Sequence, residues 1–218
     1  MPGYETKLER VSFSRQAEIV LRTLSDRQQF SDPEGEAERL GISSAIWPLF
    51  GLLWPSGRIL AEHMASVAVL RRSVLEIGCG LGLTSLMMQR AGEDITASDI
   101  HPMAGRFLDA NLLLNGLGPL PFHRGDWGTV DATLGRFGLI VGSDVLYERS
   151  QASDLSAFID RHAEGQAEII IVDPNRGHRA EFRRLMRAHD FEVEVVVAPS
   201  TTMDGVAYRG QILTFRRG

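Results

Sequence analysis

Cysteine is almost missing from this chain. Cys79 is the only one in 218 residues, so no internal disulfide can form, and no Cys/His cluster has the spacing of a zinc site. No metal site is therefore expected. Lysine is as scarce, with Lys7 alone against 22 arginines, a bias that a GC-rich, bacterial coding genome explains and that carries no chemical conclusion. No apolar run approaches the roughly 18 residues of a membrane span. The opening residues 1–10, MPGYETKLER, are too charged for a secretory leader. A cytoplasmic protein with no membrane partner is the expectation. Excess positive charge is also lacking: the net charge is −5 and the pI is near 5.7, so there is no general pull toward nucleic acid and no such partner is expected. Internal repeats and low-complexity tracts are absent.

What remains is ordinary globular material, with 44% apolar and 23% charged residues, enough for one well-buried domain. The reading is an N-terminal extension or flap over residues 1–45 and one domain over residues 46–218. The oligomeric state is not legible, and a monomer is compatible with everything in the sequence.

The stretch that most needs explaining is SVLEIGCGLGLTSL, residues 73–86. Val74, Leu75 and Ile77 suit a buried strand, Gly78, Gly80 and Gly82 follow at every second position, and Leu83 to Arg90 has helical character. Glycines at that spacing allow positive φ and let a ligand approach without meeting a Cβ, while the next helix aims its N-terminus at whatever is bound. The dinucleotide fingerprint G-x-G-x-x-G is not met, because its third glycine position falls on Leu83. Instead Glu76 stands two residues before the first glycine, a carboxylate that suits a ligand carrying positive charge at the turn. A second strand, Asp94 to Asp99, ends in an acid 17 residues past Gly82, where a carboxylate can accept both ribose hydroxyls of a nucleoside.

The other elements follow in order. Residues 1–40 read as a strand or hairpin and a loop. Ile42 to Gly57 holds two Trp-Pro pairs, Trp47-Pro48 and Trp54-Pro55, and is expected to be a shaped loop rather than a helix. Helices are expected at Arg58 to Leu70, from Pro102 to Asn115 and Gly116, at Gln151 to Ala163 and at His178 to His189. Strands are expected at Leu120 to His123, Phe137 to Val141 and Glu168 to Val172, the last two buried on both faces. Phe191 to Val197 and Gly210 to Phe215 suggest an antiparallel pair closing the sheet. The result is a doubly wound, Rossmann-like α/β fold with seven strands, mostly parallel. Its strand ends would gather Gly78 to Gly82, Asp99, Asp126, Ser143, Asp144 and Asp173 on one edge.

With the Trp-Pro loop, the glycine turn, Asp99, Asp126-Trp127 and the run from Ser143 to Tyr147 in order, the chain resembles the seven-strand S-adenosylmethionine (SAM) methyltransferases. It is similar to their lysine methyltransferase-like branch, methyltransferase family 16, over about residues 42–176. The resemblance implies SAM as cofactor and S-adenosylhomocysteine (SAH) as product. It implies Trp54 beside the cofactor, Gly78, Cys79 and Gly80 at the methionine part with Glu76 near its ammonium, Asp99 and Ile100 at the ribose, Asp126 and Trp127 at the adenine, and Ser143 closing the pocket. Asp144 and Tyr147 would align an acceptor amine and help remove its proton. Core or loop roles for Trp127, and a capping role for Asp144, stay open at this point, and Asp173 to Arg176 can equally form part of the substrate rim or a plain loop. Ser-Asp-Val-Leu-Tyr departs from the Asn-Pro-Pro-Tyr of other amino-group methyltransferases, which argues against amide and nucleobase substrates. The expected acceptor is a protein lysine. A small-molecule acceptor, and a SAM-binding module without turnover, are the alternatives.

Overall fold

Runs that are apolar at successive residues must be buried on both faces, and they form the middle of this molecule. The computed structural model describes residues 3–14, 16–147 and 151–218. The chain runs β1 (Thr6–Val11), β2 (Ile19–Leu24), α1 (Glu36–Arg39), a 3₁₀ turn (Trp47–Gly51), α2 (Pro55–Met64), β3 (Val74–Ile77), α3 (Leu83–Arg90) and β4 (Ile95–Asp99). It continues with α4 (Ala104–Leu114), β5 (Phe122–Arg124), β6 (Phe137–Ser143), α5 (Gln151–His162), β7 (Ala163–Asp173), α6 (Arg179–Ala188), β8 (Glu192–Val197) and β9 (Gln211–Arg217).

Seven strands share one sheet in the order β5-β4-β3-β6-β7-β9-β8, parallel from β5 to β7 and antiparallel from β7 through β9 to β8. Chain order runs outward from β3 to β5 and then resumes at β6 on the other side, so the boundary between β3 and β6 is the point where ligands bind in such sheets. Alternate strand residues serve two cores. Leu139, Val141, Ile170 and Val172 join α2, α3, α4 and the hairpin on one face. Ile140, Ile169, Ile171 and Phe215 join α5 and α6 on the other.

The β1-β2 hairpin forms its own two-stranded sheet, and it buries Ile19, Leu21 and Leu24 in the first of those cores. The free edge of β2 is completed by side chains of α4 rather than by a strand. Asn115 exchanges two hydrogen bonds with the backbone of Val20 (2.9 and 2.7 Å), and Asn111 accepts from the amide of Arg22 at 2.7 Å. The amide nitrogen of Asn111 also donates to the carbonyl of Leu81 in the glycine turn at 3.1 Å.

Several boundaries differ from expectation, among them β5, which starts at Phe122 rather than Leu120 and ends at Arg124. Helix α2 begins at Pro55 and ends at Met64: proline at the first helical position is favourable, and Trp54 before it is extended (φ −80°, ψ 145°). The loop expected from residue 42 therefore contains the start of this helix, and Trp47 lies inside a 3₁₀ turn. Pro102 stands outside α4, whose cap is Met103. Strand β7 starts five residues before Glu168, hidden in the sequence because Glu164, Gly165 and Gln166 are exposed there.

Candidate functional site

At the carboxyl ends of β3, β4 and β6 lies a cleft of about 750 Å³. It is bordered by Trp54, Glu76, Gly78, Cys79, Gly80, Asp99, Ile100, Asp126, Trp127, Ser143, Asp144 and Tyr147. All twelve candidate residues thus face one space, drawn from segments that are far apart in the chain.

The turn after β3 is shaped for glycine. Gly80 has φ +53°, and a Cβ there would sit 2.9 Å from the carbonyl oxygen of Phe50. The backbone of Gly80 is therefore pressed between the 3₁₀ turn and the cleft. Asp99 holds the turn from the neighbouring strand. Its Oδ2 accepts from the amide of Gly80 and its Oδ1 from that of His101, both at 2.8 Å. Burial pushes the Asp99 carboxyl up, and these amides pull it back. The amide of Ile100 meets the same carboxylate, which leaves lone-pair capacity for a hydroxyl brought into the cleft, since two carboxylate oxygens accept about four bonds.

Glu76 is almost fully buried on β3, where its carboxylate accepts from the amide and hydroxyl of Ser85 at 2.8 and 2.5 Å. Ser85 is in the first turn of α3, so the carboxylate caps the positive end of that helix. Burial still dominates and pushes its pKa up to about 7, against the Ser85 bonds, with Asp99 adding repulsion. A cation in the cleft would hold Glu76 ionised. Cys79 is a buried thiol pushed well above its ordinary range by burial and by these two carboxylates, consistent with a filler rather than a nucleophile.

The aromatic residues divide in two. Trp54 borders the cleft, donates its indole N–H to the carbonyl of Leu49 at 2.8 Å, and lies under the guanidinium of Arg27 at 5.2 Å. Trp127 is half-buried against the second core, and its carbonyl accepts from Arg161 at 2.8 Å. Trp47 is instead a core wedge, 2% exposed, bonded to the hydroxyl of Tyr4. Asp126 is exposed and its carboxylate accepts from the amide and hydroxyl of Thr129, which shapes the loop that carries Trp127.

Two further residues shape the wall, His101 and, from the segment Asp173 to Arg176, Arg176. His101 stacks on Phe50 with ring centres 3.8 Å apart, and burial lowers its pKa to about 3, so it is a neutral aromatic wall. Its only signal in the sequence is its position two residues past Asp99. Arg176 reaches back from the loop after β7 and grips Asp144 with two bonds, Nε to Oδ1 at 2.6 Å and Nη2 to Oδ2 at 2.7 Å. Asp144 has a left-handed backbone (φ +56°), while its amide still donates to Val172 across the β6-β7 ladder at 2.9 Å. The carboxylate is tied to the loop after the neighbouring strand β7 rather than back to its own segment. Tyr147 is the last described residue before 148–150, and it is partly exposed at the mouth.

The cleft suits SAM on three grounds seen here: a glycine turn with left-handed backbone at Gly78, Gly80 and Gly82 along its floor, a buried acid at the end of the next strand, and a second buried acid that a cation would satisfy. The sheet order with the glycine turn at its switch point is that of the SAM-dependent methyltransferase fold. Magnesium protoporphyrin IX methyltransferase from Synechocystis PCC 6803, solved with bound SAH, is similar with a TM-score of 0.58 at 18% identity, covering 73% of this chain and 80% of that one. The ribosomal protein L11 methylase of Lactobacillus delbrueckii subsp. bulgaricus is similar with a TM-score of 0.57 at 19% identity, covering 74% and 78%. These likenesses concern the fold. In sequence, the electron transfer flavoprotein beta subunit lysine methyltransferase of Mus musculus is 32% identical over 163 residues, 73% of this chain and 61% of that protein. The Homo sapiens protein of the same name is 28% identical, covering 73% and 60%. The chain thus spans about three-fifths of the length of these relatives. The lysine methyltransferase family model matches residues 39–189, and the chain belongs to that family.

Proposed function

We propose that this protein is a SAM-dependent N-methyltransferase whose acceptor is a lysine on a protein. One observation carries the reading: the glycine turn and Asp99, where a nucleoside would be held, open into the same cleft as Asp144 and Tyr147. Asp99 would bind the ribose hydroxyls with Ile100 beside them. Gly78, Cys79 and Gly80 would face the methionine part, and Glu76 would meet its ammonium. Trp127, carried by the Asp126 loop, would cover the adenine, while Trp54 and Ser143 close the walls. SAM supplies a sulfonium methyl that is already activated, so the protein's task is alignment and proton management. A lysine is mostly ammonium at about pH 7, and freeing its lone pair costs about 4.6 kcal/mol from a reference pKa near 10.4. Asp144 would orient the amine by hydrogen bonding as the proton leaves for water at the cleft mouth, with Tyr147 on the other side.

The relatives support a specific acceptor, the electron transfer flavoprotein beta subunit. The test is to incubate the protein with methyl-labelled SAM and that purified subunit, alongside a cell lysate, and to locate the label by mass spectrometry. Label on lysine side chains is expected. Tight NAD binding by calorimetry with none for SAM, or label confined to small molecules, would overturn the reading.

A further inference from the structure

Asp144 and Arg176 form a two-point ion pair in the wall of the cleft. The Asp144 side chain is only 13% exposed, and the Arg176 side chain is 43% exposed at the rim. The loop that carries Arg176 is held for this contact. Asp173 accepts from the amide of Asn175 at 2.9 Å, the Asn175 side chain accepts from Arg179, and Asn175 and Gly177 take left-handed backbones at φ +70° and +96°. The charged and titratable groups around Asp144 are Arg176, Asp173 at the end of β7 and Tyr208, with Arg179 at the start of α6 against Asp173 and Tyr147 bordering the same cleft. Asp173 lies 3.3 Å from Arg179, and Tyr208 stays uncharged because burial pushes it up to about 12. Asp144 and Asp173 are thus each matched by a guanidinium, while Asp126 and Asp154 border the same cleft.

That balance matters for an amine nucleophile. A lone carboxylate beside a lysine stabilises the ammonium, raising its pKa by about 1–3 units, which is the wrong direction for methyl transfer. A carboxylate already engaged by a guanidinium carries no net charge with its partner, yet each oxygen keeps a lone pair for an N–H. We propose that Arg176 is a positioning residue that neutralises Asp144, so that the acceptor lysine is oriented in the cleft as the free amine and not held as the ammonium. This rests on the reading that Asp144 contacts the acceptor. The ammonium gives its proton to water, and the freed lone pair forms the N–C bond as the S–C bond breaks.

The test uses Arg176→Gln, which removes the charge and keeps a donor, and Arg176→Lys, which keeps the charge. With the protein saturated by SAH, n-butylammonium chloride is titrated by NMR at about pH 8. Arg176→Gln should bind it about tenfold tighter than wild type, because the site then carries an unbalanced negative charge. With the flavoprotein beta subunit as acceptor, the acid limb of the pH-rate profile should move up by about one unit in Arg176→Gln, so that turnover lost near pH 7 returns near pH 10. Arg176→Lys should restore the position of the limb, and SAM affinity should hold in both variants. Unchanged butylammonium binding in Arg176→Gln, or a loss of turnover that is equal at every pH, would overturn the inference. Asp144→Asn separates the two layers. Full turnover in that variant removes the acceptor reading itself, whereas a loss of about 10²-fold or more there, with a wild-type profile in Arg176→Gln, removes only the role of Arg176.

Discussion

Glu76 is a buried carboxylate whose pKa is about 7, and this has consequences that can be measured without any acceptor. Its folded pKa lies above its unfolded value of 4.5, so the folded state holds the extra proton between those limits. Stability contributed by the protonated form is present below about pH 4.5 and is lost as pH rises toward about 7. The loss is about 3 kcal/mol for a shift of that size. Denaturant midpoints of wild type and Glu76→Gln across this range should therefore diverge, with the variant lacking that part of the slope. A cationic ligand should also expel the proton: at about pH 7, SAM binding should release about half a proton per site, read by calorimetry in two buffers, and Glu76→Gln should release none. Parallel behaviour of the two proteins would mean that no cation meets this acid. Asp99 gives a different signature, because it serves the turn as well as the ligand. Asp99→Ala should weaken SAM binding by about 100-fold or more, from the loss of two charged acceptors at about 1.5–3 kcal/mol each. It should also lower the melting temperature, since the amides of Gly80 and His101 lose their partner. Unchanged affinity would place the nucleoside elsewhere.

Among the elements, those with a strong pattern were readable and those made by long-range pairing were not. The central strands announce themselves because burial on two faces demands unbroken apolar runs, as in Phe137 to Val141. Alpha helices α3, α5 and α6 fall within a residue or so of the expected limits. The first part of β7 was invisible, since Glu164, Gly165 and Gln166 are exposed and the ladder with β6 shifts register across them, from Ala163 opposite Phe137 to Glu168 opposite Leu139. The site followed the same rule. Residues at strand ends could be placed from topology alone, but the Asp144–Arg176 pair joins positions 32 apart and needs the loop geometry that Asn175 and Gly177 supply. Likewise nothing in a helical pattern marks Asn111 and Asn115 as the partners of a strand. Replacing Asn111 by alanine leaves the amide of Arg22 and the carbonyl of Leu81 without their side-chain partner, so a loss of about 3 kcal/mol in unfolding free energy is expected. Asn115→Ala, at a half-buried position, should cost about 1 kcal/mol. Equal and small losses for both would deny Asn111 its bridging role.

For the molecule as a whole, the N-terminal hairpin and the cofactor turn are separate in sequence, and among the described residues none from β1 or β2 borders the cleft. They are nevertheless joined by one buried side chain, Asn111, which bonds β2 on one side and Leu81 on the other. Coupling of this kind runs in both directions. Whatever fixes the glycine turn also fixes Asn111, and therefore the edge of β2. Filling the cleft with SAH should slow amide hydrogen exchange at Arg22, about 90 residues from Leu81's partner helix in chain terms yet one side chain away in space. In Asn111→Ala the same amide should exchange at a rate indifferent to SAH. The hairpin would then report occupancy of a site it never touches, and a protein that grips the hairpin would change how long the cofactor stays.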